Sequence, residues 1–68
     1  MEVDTEYKIQ EITHRRDFFI RILDAAIAST DFVANLDIPL KTEMHAAHLQ
    51  ELEERIAFLQ RELEKLAI

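Results

Sequence analysis

His45 and His48 stand three residues apart, so on a helix their imidazoles share one side and can reach a single metal ion. Glu11 and His14 repeat the ExxH spacing of carboxylate-bridged di-metal bundles. Neither pair is complete. HxxH supplies two ligands, and the rest would have to come from Glu43, Glu51 or a symmetry-related copy. An ExxH site needs two such helices with further glutamates turned inward. His14 instead falls about 160–180° from the Ile12 and Leu23 side of its helix at 100° per residue. The nearest second copy, Glu43-Met44-His45, has the wrong spacing. Glu11 and His14 are therefore expected to be exposed polar residues, and no resident metal or other cofactor is expected.

His45 and His48 have a plainer use. His45 lies on the apolar seam of its helix and His48 at the seam's edge, so together they form a polar layer among Ala25, Ala26, Ala28, Ala46 and Ala47. Single polar residues in a helical core fix register at some expense of stability. A layer of neutral imidazoles that must take up charge in acid would also make the bundle pH-sensitive, and a metal site through His45 and His48 is the third use of the pair.

Nucleophilic catalysis has little to work with. Ser29 is the single serine, cysteine is absent, and no glycine exists to build a phosphate-cradling loop. No enzyme is expected. Nucleic-acid binding would rest on His14, Arg15, Arg16 and Arg21, which a twofold axis could double into a basic strip. The chain's net charge of −6 works against that, because phosphate is repelled unless the basic residues share one face. Acids and bases divide evenly between residues 1–34 and 35–68, so there is no charged tail.

The elements that must position these residues follow from composition. A chain of 68 residues that is 49% hydrophobic and 32% charged is too apolar for disorder, yet short enough that its own core is marginal. Disulfides cannot help it, which leaves a partner chain as the usual remedy. The longest apolar run, Phe18 to Ala28, is interrupted by Arg21 and Asp24 and falls well short of the roughly 20 residues of a membrane span. No basic segment precedes it in the manner of a signal peptide. A soluble, cytoplasmic protein is expected.

The pattern predicts an all-α fold of two helices in one domain, the first over about residues 4–34 with Asp4 or Thr5 as its cap, the second over about 38–67. Between them Asn35 is placed to take the left-handed conformation with Leu36 in apolar contact after it, Asp37 to cap the second helix, and Pro39 to sit in its first turn. So short a turn makes the helices an antiparallel αα-hairpin. On the second helix Leu49, Leu52, Ile56, Leu59, Leu63 and Leu66 step by threes and fours, the seam of a left-handed coiled coil. Its remaining surface is charged, with Glu51 and Arg55, and Glu62 and Lys65, at ion-pair spacing. If paired residues have numbers adding to about 74, His45 meets Ser29 and Thr30, Leu52 meets Ile22, and Ile56 meets Phe18 and Phe19.

The first helix is apolar over much more of its circumference. Asp17, Arg21, Asp24 and Asp31 confine polarity to one stripe, while Phe18, Phe19, Ile20, Ile22, Leu23, Ile27 and Phe32 spread over roughly 240° together with Ala26 and Val33. One seam cannot cover that arc. Several of Phe18, Ile20, Ile27 and Phe32 should stay in water, as should Phe58, which lies off the seam of the second helix. The expected remedy is association into a homodimeric four-helix bundle. The expected function is that of a non-enzymatic interaction protein, a small adaptor, assembly factor or regulator that pairs with itself and with another protein.

Overall fold

The computed structural model describes residues 3–67 as three helices in chain order: α1, Val3–Ala28; α2, Thr30–Asn35; and α3, Pro39–Ala67. α1 and α2 run up one side, and α3 returns antiparallel along both as a hairpin. The rod measures 52 × 15 × 12 Å, and its radius of gyration is 15.8 Å, against about 11 Å for a compact domain of this length. No helix among the described residues is long and apolar enough to cross a membrane.

The expected first helix is divided at Ser29. The Ser29 hydroxyl donates to the Ala25 carbonyl oxygen at 3.0 Å, and the Ser29 N–H is shared between the carbonyls of Ala25 and Ala26 at 3.2 and 3.1 Å. A serine that back-bonds to its own helix competes with the regular ladder and bends it. Ser29 accordingly sits at φ −87°, ψ −1°, at the edge of helical space. Asp4 and Thr5 lie inside the first turn of α1 and do not precede it.

The reversal is built one step later than expected. Asn35 is the last residue of α2, and the left-handed residue is Asp37, at φ 54°. Before it, the N–H groups of Leu36 and Asp37 tighten onto the carbonyls of Val33 and Ala34, both at 3.2 Å. Aspartate tolerates this region better than most residues with a Cβ. Having taken that conformation, Asp37 cannot also offer the extended backbone of an N-cap. Ile38 holds the capping position instead: its carbonyl accepts the Thr42 N–H at 3.1 Å and the Thr42 hydroxyl at 3.4 Å, while Pro39 opens α3.

The core is a single seam. α3 presents His45, Leu49, Leu52, Ile56, Leu59, Leu63 and Leu66, all at least partly covered, with Leu52 (6% exposed) and Leu59 (8%) the buried ones. The other side meets it with the same alternation of four and three: Thr5, Ile9, Ile12, Arg16, Phe19, Leu23, Ala26, Thr30 and Val33. Three contacts set the register. Thr30 meets His45, Arg16 meets Gln60, and Arg55 lies over Phe19, so paired numbers add to about 75 along the rod.

Because Leu52 and Leu59 are the buried apolar side chains among the described residues, truncating either opens the best-packed part of the seam. Leu59→Ala is expected to cost about 2–4 kcal/mol and to abolish a cooperative helix melt by circular dichroism, whereas Leu40→Ala, at an exposed position, should leave the midpoint within about 0.5 kcal/mol.

Candidate functional site

Two helices leave each other's flanks open, and the flanks here are of two kinds. On one side of the seam α1 and α2 carry Phe18, Ala25 and Phe32 at seven-residue intervals, next to Arg15 and Ile22. α3 brings Met44, Glu51 and Phe58, next to His48 and Arg55. The antiparallel register sets Phe18 level with Phe58, and Phe32 level with Met44. An open groove runs between the helices here, lined by Arg15, Phe18, Phe19, Arg55, Phe58 and the acids Glu51 and Glu54. Phe18 packs edge-on against Phe19, with ring centroids 5.7 Å apart at 67°.

Arg55 does not pair with Glu51. Its guanidinium lies 5.5 Å from the centroid of the Phe19 ring, a cation–π contact that lays the side chain across the groove floor. Glu62 and Lys65 do approach as expected, at 3.5 Å.

The aromatic rings lining this side remain in water. Phe18 and Phe58 are each 53% exposed and Phe32 is 68% exposed. With 150–250 Å² per aromatic side chain, a half-exposed phenylalanine forgoes about 2–3 kcal/mol of burial at 25 cal/mol per Å². Three such residues amount to a large share of the ~5–15 kcal/mol that stabilises an ordinary domain.

The other flank is acidic. Asp17, Asp24 and Asp31 recur every seven residues there, and α3 adds Glu43, Glu53 and Glu64. Ile20 and Ile27 are the large apolar residues between the acids and the seam, both exposed. Arg16 reaches toward this flank from the seam. Its Nη1 donates to Gln60 Oε1 at 3.0 Å, and its Nε and Nη2 donate to Asp17 Oδ1 at 3.3 and 3.2 Å.

The residues singled out for other chemistry are scattered by this geometry. Arg15 faces the aromatic side and pairs with Glu11 at 2.9 Å, Arg16 is in the seam, and His14 and Arg21 are exposed on the back of α1. The four basic residues do not form one strip. His45 Nε2 lies 3.1 Å from Thr30 Oγ1, the hydroxyl partner that the register called for, while His48 is exposed beside the aromatic flank. Among the described residues no cluster of three or more metal-ligating side chains forms. Arg16 was legible only as part of a basic run. The signal that places it in the core is the unbroken alternation of four and three from Thr5 to Val33, which the equally apolar neighbours of that seam conceal.

No family model matches this chain, and comparison with curated proteins and with solved structures returns no significant match to either.

Arg16 interrupts an otherwise apolar seam, and replacing a half-buried ion pair with a well-packed apolar side chain commonly stabilises. Arg16→Leu is expected to raise stability by about 1 kcal/mol in urea titration. A loss of stability would mean that the Gln60 and Asp17 hydrogen bonds outweigh the burial of a leucine there.

Proposed function

We propose that this chain is a non-enzymatic protein–protein interaction module. In this reading the helical hairpin works as an oligomer, most simply a homodimeric four-helix bundle, and presents a helix face to another protein as an adaptor, assembly factor or small regulator. Action in the cytoplasm is part of the same reading, and a chain without cysteine fits either redox compartment.

One observation carries the reading: the hairpin exposes far more surface than its mass requires. Its solvent-accessible area is 5540 Å², whereas a compact protein of 8.0 kDa exposes about 4,500 Å². The excess of about 1,000 Å² exceeds the roughly 800 Å² that each partner buries in an interface of standard size. Its composition also suits an interface, because the exposed large side chains on one flank include Phe18, Phe32, Phe58 and Met44. Contiguous apolar surface of this kind marks interaction sites on soluble proteins.

A role without catalysis is supported by how the reactive groups are used. The Ser29 hydroxyl is engaged by its own helix at Ala25, and His45 faces Thr30. In these arrangements the Ser29 hydroxyl is not hydrogen-bonded to a histidine base, the pairing that nucleophilic catalysis would use.

Light scattering on the eluting peak of a sizing column tests the reading directly. The expected mass is twice 8.0 kDa or a higher multiple, at micromolar concentration. A cooperatively folded species of 8.0 kDa across that range would overturn it.

A further inference from the structure

Resting on the reading of the chain as a self-associating module, we infer that the second copy docks on the aromatic flank centred on Phe18 and Phe58, and that the flank carrying Ile20 and Ile27 stays outside the dimer. The two flanks differ in one respect that decides between them. A twofold contact sets a patch against its own copy, so the patch must be complementary to itself.

The acidic flank fails that condition. Asp24, Asp31, Glu43, Glu53 and Glu64 are exposed along it, and the base that reaches toward them is the single Arg16 of the adjoining seam. Two copies meeting there would oppose carboxylate to carboxylate along the rod, with desolvation added to the repulsion. The apolar gain on offer is smaller, since Ile20 and Ile27 are 36% and 52% exposed, against 53% for the larger Phe18 and Phe58 and 68% for Phe32 on the other side.

The aromatic flank meets the condition. Its charges are of both signs: Arg15, Arg55 and Lys65 alternate with Glu11, Glu51 and Glu62 beside the aromatic rings. A copy facing its twin across such a surface can pair bases with acids at the rim while the rings fill the centre. Phe18 and Phe58 lie close to the middle of the rod, so a twofold axis passing near them lets the hairpins overlap over most of their 52 Å length. Phenylalanine and arginine are also the residue types enriched at the desolvated centres of interfaces. The groove between Phe18 and Phe58 is open enough to receive a ring from the second copy.

Docking on this flank leaves the charge of the dimer unevenly placed. Asp17, Asp24, Asp31, Glu43, Glu53 and Glu64 on the opposite flank then point outward on both sides of the bundle, while Arg15 and Arg55 are turned toward its interior.

The test compares sedimentation velocity of the full chain with two double variants, each checked for helix by circular dichroism. Phe18→Glu with Phe58→Glu should weaken self-association at least tenfold, and Ile20→Glu with Ile27→Glu should leave it within about threefold of the parent. If the aromatic variant associates like the parent, or the isoleucine variant alone loses association, this inference is overturned while the interaction-module reading stands. A parent chain that is a folded monomer overturns both. Should the aromatic variant lose its helix, alkylation of introduced thiols decides, since the chain has no other cysteine. The Ala25→Cys thiol is then expected to react at least tenfold more slowly at concentrations where the parent associates, and the Ala57→Cys thiol at an unchanged rate. Equal rates at both positions would overturn the inference.

Discussion

Two α-helices can cover each other only along one line. Each presents a strip of side chains to its neighbour, and whatever lies beyond that strip meets water unless another chain arrives. In this hairpin the strip on α3 is better matched to the constraint, with leucine and isoleucine filling most of the seam and Leu40, Met44 and Phe58 the large apolar side chains left outside it. On α1 it is not. Phe19, Leu23 and Ala26 take the seam, and the equally apolar Phe18, Ile20 and Ile27 on either side of it are left over. The elongated shape, the scarcity of buried residues and the open aromatic groove all follow from that mismatch.

The same seam accounts for the polar residues inside it. Arg16 and His45 occupy positions where coiled-coil geometry calls for apolar side chains, and each is met across the hairpin by a polar partner, Gln60 and Thr30. Shifting the helices by one turn would separate both pairs. An apolar seam of repeated leucines is nearly indifferent to such a shift, whereas two directional contacts at different heights are not. Among the described residues no polar side chain is fully buried, so these groups keep access to water beside their partners. Ser29 contributes in another way. By bending the chain between α1 and α2 it steers Thr30 and Val33 while the alternation of four and three continues through the break.

Charge adds a second asymmetry to the apolar one. The two halves of the chain carry equal net charge, yet in the folded hairpin the acids concentrate on one flank and the bases mix with acids on the other. That division arises because seven-residue spacing keeps a residue type on one side of a helix, as it does for Asp17, Asp24 and Asp31, and because the antiparallel turn then sets chosen sides of the two helices next to each other. A hairpin can thus be repulsive to itself on one flank and self-complementary on the other.

The sequence by itself determined the helical class, the antiparallel turn around Pro39, the seam of α3, the meeting of His45 with Thr30, and the exposure of Phe18, Ile20, Ile27, Phe32 and Phe58. These depend on local propensity and on periodicity, both of which are properties of neighbouring residues along one chain. It did not disclose the seam of α1, because apolar residues on both sides of it hide the stepping that a polar background would reveal. Nor did it place the left-handed residue at Asp37 rather than Asn35, or divide the first helix at Ser29, since one hydrogen bond more or less separates those alternatives. The turning of Arg55 onto Phe19 in place of Glu51, and the sorting of charge into two flanks, were decided only when the helices packed. An aromatic ring and a carboxylate compete for the same guanidinium, and which one wins depends on the tertiary distance between them.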